Sequence, residues 1–271
     1  MASVDNLTFL SAWGKNPDAD FPLLDVLWDM AALDRMPDDI MAAKEIVTQM
    51  MQALPDEDIT SLQEQRDVLH KIIHEKFGFA VDADASLPEN IDLVSVVTRR
   101  KGLPVALAAL YAALAQSKGW DLQGVNFPGH FLLQLGKGQQ RLLIDPANGA
   151  DLQASDLRRL LKETLGVHAE LQHSHYQSVT ARQWVIRFYN NQKTSFLNQD
   201  KVDEALQVVR AVLEIAPHEP RLFYDAAVLA TRLDLLKDAI IYWEKFILLS
   251  DDKAEKEEAR YILSRLQSLL Q

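Results

Sequence analysis

The residues best placed to do chemistry are His130 and Asp145, which sit in two apolar runs, HFLLQL and RLLIDP, separated by Gly136-Lys137-Gly138. If residues 136–139 form the loop of an antiparallel hairpin, Leu135 stands opposite Gln140 and His130 opposite Asp145. That register also sets Leu132 against Leu143 and Gln134 against Arg141 on one face, with Phe131 against Ile144 and Leu133 against Leu142 on the other. Like meets like on both faces, whereas a one-residue slip sets His130 against Ile144. A carboxylate beside an imidazole fixes its tautomer and raises its basicity, so the expected pair handles protons. The plainer reading is that each group satisfies the other's hydrogen bonds in a half-buried sheet.

Other polar clusters carry less. Arg99, Arg100 and Lys101 precede Pro104 and form either a solvated corner or a dock for a carboxylate. His70 and His74 stand one helical turn apart, but no Glu falls between them as a zinc-protease helix requires, so they read as a solvated flank. His173-Ser-His175 lacks a third ligand nearby, and Gly136-Lys137-Gly138 is a turn, not a phosphate loop. Asn6-Leu7-Thr8 matches a glycosylation acceptor, in a chain whose first residues do not read as a secretion signal. No metal and no other cofactor is expected.

The elements that must position these residues follow from periodicity. Apolar residues recur at three- and four-residue spacing from Phe21 to Leu54, broken at Pro37-Asp38-Asp39, which predicts two amphipathic helices. A third is expected over 61–77 and another over 90–100, with a loop between. After Gly102-Leu103-Pro104 comes VALAALYAALAQS, apolar on every side, hence a core helix that begins at Pro104 and ends at Gly119. The runs DLQGVN, HFLLQL and RLLIDP then read as β-strands, and from about Ser174 the pattern is purely helical.

The 271 residues carry 28 Lys+Arg against 39 Asp+Glu, a net charge of -11, and no cysteine. The absence of cysteine removes disulfides, thiolate metal sites and a cysteine nucleophile, and it fits a reducing, cytoplasmic setting. The charge is uneven: residues 1–98 hold 6 Lys+Arg against 19 Asp+Glu, net -13. No basic stripe offers a grip on phosphate backbones, so nucleic acid is not an expected partner. No apolar run reaches the roughly 18 residues of a membrane span.

Aligning 186–219 with 220–253 gives a 34-residue period that pairs Ala205 with Ala239, Val209 with Trp243 and Val212 with Phe246. This resembles the tetratricopeptide repeat, whose first helices line a groove. The resemblance places Arg187, Asn190 and Thr194, then Arg221, Tyr224, Val228 and Arg232, on that surface, where they either bind a peptide or merely pack.

Arg-Arg-Lys-Gly-Leu-Pro (99–104), a buried helix, Phe-Pro-Gly-His-Phe-Leu (127–132) and Leu-Ile-Asp-Pro (143–146) together resemble the transglutaminase-like core of the bacterial SirB-type family. The resemblance implies a papain-like arrangement, with a Cys at the start of the buried helix attacking an amide, a His on a strand as base and an Asp orienting it. It also implies an association with regulation of invasion genes in enteric bacteria. Carried onto this chain, the nucleophile position falls at or beside Pro104, where Leu103, Val105 and Ala106 bring no thiol or hydroxyl.

The expected fold is therefore α+β, with an acidic helical lead over 1–58, a degenerate transglutaminase-like core over 59–176 and repeats with a capping helix over 182–271. The expected role is a non-catalytic scaffold or regulatory adaptor for a protein or peptide, with Arg99, Arg100, Gly102, Gly129, His130 and Asp145 as the cleft. The competing reading is an amide or ester hydrolase in which His130 and Asp145 activate water.

Overall fold

The computed structural model describes residues 7, 9–18, 21–82, 84, 87–138 and 140–269. Their contacts divide into two compact units, one spanning Asp18–Phe188 and the other joining the described residues up to Pro17 with Tyr189 onward. From residue 18 on, the acidic segment belongs to the first unit. Helices α2 (Leu23–Ala31) and α3 (Pro37–Gln52) pack on α5 (Leu93–Arg99) and α6 (Pro104–Ser117). No described helix is long and apolar enough to cross a membrane.

The first unit is built around α6. Leu103 precedes it in extended conformation, Pro104 takes the first turn, and the chain leaves through Gly119 at φ 66°. Ten of its residues are buried, as an all-apolar helix requires. It packs along β3 (Leu122–Phe127) and β4 (His130–Lys137), which belong to a five-stranded antiparallel sheet. The strand order is β6 (Ala150–Asp151), β5 (Gln140–Asp145), β4, β3, β7 (Ser178–Val179). Val125, Phe127, Leu132 and Leu143 form a second core with Leu157, Leu160 and Leu161 of α7 (Ala154–Leu165). The alternate residues Phe131, Leu133 and Leu135 are buried as well, so the sheet is apolar on both faces.

Two details differ from the sequence reading. The β4–β5 register is shifted by two residues: Leu133 pairs with Ile144, Leu135 with Leu142 and Lys137 with Gln140. The strands run on through Gly136 and Lys137, and Gly138, at φ 62°, supplies the left-handed residue of a tighter turn. A two-residue shift keeps every side chain on its face but takes Asp145 off the position directly across from His130. Second, the chain after Ser174 is not purely helical, because Ser178 and Val179 join the sheet edge before Thr180 caps α8 (Ala181–Asn198) through reciprocal bonds with Gln183.

In the second unit, α9 (Val202–Ile215), α10 (Pro220–Arg232), α11 (Leu236–Leu249) and α12 (Lys253–Ser268) pack each on the next. Ala205, Val209, Val212 and their 34-residue counterparts Ala239, Trp243 and Phe246 are all buried. The turns repeat at the same spacing: Asp200 (φ 58°) and Asp234 (φ 56°) both take the left-handed conformation.

Candidate functional site

The sequence points to the end of the sheet where α6 begins, and that end is tied down by backbone and side-chain hydrogen bonds. Asp92 caps α5 by accepting from Ser95 N–H at 2.7 Å, and Arg35 donates to Ser95 Oγ at 2.7 Å while lying 3.0 Å from the Asp92 carboxylate. Asn90, fully buried, accepts from Leu103 N–H through its carbonyl and from Arg99 through its side chain, and donates to the Asp84 carbonyl. Arg99 also reaches Asp82 at 3.4 Å. Its charge is therefore committed to holding the loop. Arg100 takes the left-handed conformation at the end of α5, and its carbonyl accepts from Ala80 N–H. This parallel bridge runs between β1 (Ala80–Val81) and β2 (Lys101–Gly102), and Gly102 lies against the Val96 side chain, where a Cβ would come within 2.6 Å. Arg100 and Lys101 keep exposed side chains. At the nucleophile position stand Leu103, buried, and Pro104.

His130 and Asp145 are not joined. No hydrogen bond or ion pair among the described residues connects them. His130 is half-buried, its ring lies 6.5 Å from that of Phe127 and its side chain makes no hydrogen bond among the described residues, while Asp145 Oδ1 accepts from Ala147 N–H at 2.9 Å to close its own turn. The shifted register is the reason. His175 flanks the same Phe127 ring from the 3₁₀ turn His173–Tyr176. Gly129 forms the β3–β4 turn at φ 74°, close against Thr164 of α7.

The structure places a different polar pair nearby, His74 with Tyr111, where the sequence predicts His74 on a solvated flank. The helix α4 (Leu62–His70) widens into a π-helical turn over Lys71–Lys76, and this carries His74 inward. His74 Nδ1 lies 2.8 Å from the Phe79 carbonyl and Nε2 lies 2.9 Å from the Tyr111 hydroxyl. A carbonyl only accepts, so Nδ1 donates and, in the neutral ring, Nε2 accepts from Tyr111 O–H. Burial holds the His74 pKa below its ordinary value, opposed by the Phe79 carbonyl and the nearby Asp145 carboxylate and reinforced by His70. Burial, with Asp145 second, pushes the Tyr111 phenol far up. Both groups are thus neutral near pH 7, and Tyr111 has no exposed surface. The pair is a satisfied core contact, not a proton relay. The signal for it was present in Tyr111, the one hydroxyl in an apolar helix apart from Ser117 at its end, which needs a partner when buried.

Neither His70 and His74 nor His173 and His175 belongs to a group able to hold a metal ion among the described residues. In the helical unit, the Tyr224 ring meets Trp243 and Phe246 edge-on at 5.3 Å with the Arg221 guanidinium over it at 4.4 Å, so it serves packing between α10 and α11. Arg232 pairs with Asp200, and Arg221 lies 3.8 Å from both Asp225 and Glu255. Asn190 accepts from Thr194 through its backbone. Arg187 of α8 is half-buried, which depresses its pKa, and its Nε has no partner among the described residues. The glycosylation acceptor lies at residues 6–8, of which only Leu7 is among the described residues.

Comparison with known proteins agrees with this architecture. The profile of the transglutaminase-like superfamily matches residues 39–190. A UPF0162 protein of Pseudomonas aeruginosa is 32% identical over 218 residues, covering 78% of this chain and 77% of that protein. Another, from Xylella fastidiosa, is 28% identical over 186 residues, 67% of this chain and 66% of its own length. Protein SirB1 of Salmonella typhimurium is 25% identical over 187 residues, 67% of this chain and 70% of that protein. The match thus spans just under two thirds of the Xylella relative.

Proposed function

This chain belongs to the transglutaminase-like superfamily and groups with its UPF0162 and SirB-type proteins, and from that premise we propose that it binds a protein or peptide without cleaving it. The observation that carries this reading is the start of α6, where Leu103, Pro104, Val105 and Ala106 present no atom able to attack a carbonyl. Without a nucleophile, the covalent step that divides amide cleavage in two is missing, a loss on the order of several powers of ten in rate. The imidazole of His130 also has no carboxylate among the described residues to orient it, and Asp145 closes its own turn.

The exposed cations support a binding role. Arg100 and Lys101 make no ion pair among the described residues near the start of α6, and Arg221, Val228 and Arg232 are exposed on α10, where the two arginines have acidic neighbours. We read the helical unit as tetratricopeptide-type repeats on the strength of the 34-residue recurrence of buried positions and left-handed turns.

The test has two arms. The full chain and His130→Ala are incubated with a panel of chromogenic amides and esters and a glutamine–amine transfer pair. Both are expected to match the uncatalysed rate, and turnover that disappears in His130→Ala overturns the reading in favour of water-activating hydrolysis. In the second arm, peptides selected on the full chain from a random display library are rebound to R100E/K101E and R221E/R232E. Loss on one double variant supports the binding role and locates it, and failure to select any peptide above a non-binding control overturns it.

A further inference from the structure

The opposite end of α6 holds polar groups of another kind. A groove of about 740 Å³ lies there, between the C-terminal half of α6, the outer edge of β3 and the start of α8, with Asp18 and Phe21 at its side. That volume is in the range of pockets that hold small organic ligands, about 300–1,000 Å³.

Two of its lining residues carry buried atoms without hydrogen bonds. Trp184 is 3% exposed, and its indole N–H, which can only donate, has no acceptor among the described residues. The ring is fixed 4.9 Å from Phe131 and lies so close over β3 that a Cβ on Gly124 would come within 2.8 Å of it. Asp121 Oδ2 is buried and likewise makes no hydrogen bond. The Lys137 ammonium pairs with it at 3.2 Å, but that lysine side chain is 75% exposed on the rim and can be displaced by another cation. Gln123 reaches Asp121 Oδ1 only at 3.5 Å. One groove therefore contains a fixed donor lacking an acceptor and a carboxylate whose charge partner is an exposed lysine on the rim.

The edge of the sheet adds a third feature. Strand β7 covers only Gly124 and Val125 of β3, and the chain turns into α8 at Ala181. Asp121 accepts from Gly136 toward β4, so by the alternation of antiparallel strands Leu122 turns its N–H and C=O outward, where no described strand lies beside it. Backbone groups of this kind are met by an extended chain.

We propose that this groove binds a short peptide with a free amino terminus, its ammonium on Asp121, a carbonyl on the Trp184 indole N–H and its backbone along Leu122. The ammonium takes the place of the exposed Lys137 as charge-assisted donor to Asp121, and Ala112, Ala115 and Trp120 offer apolar wall for side chains. The site is separate from the vacant nucleophile position, since α6 has 14 residues and so spans about 20 Å. It stands or falls apart from the binding reading above.

The experiment titrates tri-alanine into the ¹⁵N-labelled full chain and follows its five indole N–H signals. The signal missing in Trp184→Phe is that of Trp184. It is expected to move at millimolar peptide, with N-acetyl-tri-alanine and the Asp121→Asn chain each binding about tenfold more weakly. A Trp184 signal that does not move, or acetylated peptide bound as well as free peptide, overturns the proposal. Should Asp121→Asn fail to fold, judged by its circular dichroism, the acetylated comparison on the unaltered chain decides.

Discussion

The two ends of α6 differ in how their polar groups are met. From the start of α6 to its middle, Asn90, Asp92, Arg99, His74 and Tyr111 all have partners at hydrogen-bond distance. At the other end, the Trp184 indole N–H has none among the described residues, and Asp121 Oδ2 has the exposed Lys137 ammonium 3.2 Å away. Folding alone selects for satisfied buried groups, so a network that closes on itself accounts for its own presence, whereas an open one points to something outside the chain. The end that resembles an enzyme is the more nearly closed of the two, although His70 Nδ1 and Arg66 Nε beside it lack partners among the described residues. Its polar residues shape a loop and a helix start instead of waiting for a substrate.

If the amino-terminal network is architectural, damage to it must lower stability. The largest effect is expected at Gly149, which sits at φ 68° with the His70 ring so near that a Cβ would come within 2.5 Å of Nδ1. Gly149→Ala combines left-handed strain with overpacking and should cost about 2–4 kcal/mol in urea unfolding. Next is Tyr111→Phe, which leaves His74 Nε2 buried with no donor and should cost about 1–3 kcal/mol by the same measurement. Wild-type stability in Tyr111→Phe would show the pair to be dispensable, which reopens a functional role for His74.

The same pair predicts a pH dependence. The His74 pKa is lower in the folded chain than the ordinary value of 6.5. The unfolded chain therefore takes up this proton first as pH falls, and stability from His74 is complete above pH 6.5 and declines below it, toward the depressed folded value. Stability measured against pH should lose part of that acid-side slope in His74→Gln. An unchanged slope would mean that the ring is not held neutral.

How much of this was legible in the sequence depends on how local the determinant is. Pro104 and Gly119 mark the ends of α6, and thirteen nearly uninterrupted apolar residues mark its burial, so its place in the core follows from neighbours along the chain. The 34-residue period is equally local to its helices. The β4–β5 register was not fixed, because Gly136 and Gly138 both suit a turn and a two-residue shift preserves the pattern of faces. That ambiguity decided whether His130 met Asp145. Strand β7 is two residues long, too short to leave a period. The π-helical turn that brings His74 inward and the groove at Trp184 both depend on segments far apart in the sequence, which no spacing reveals.

The smallest expected effect is the sharpest test of the contrast between the two ends. Trp184→Phe removes a buried donor that no described residue accepts while keeping an aromatic ring against Phe131. Losing part of the indole costs packing, and losing the unmet N–H returns a desolvation penalty of comparable size, so unfolding free energy should change by less than about 1 kcal/mol in either direction. Tyr111→Phe also deletes one polar atom from a buried aromatic residue, yet there the partner is left behind. If the two substitutions cost the same, the Trp184 N–H has a partner in solution and the groove is closed by the chain itself. If only Tyr111→Phe is costly, the difference measures how far the carboxy-terminal end of α6 is kept open at the expense of stability.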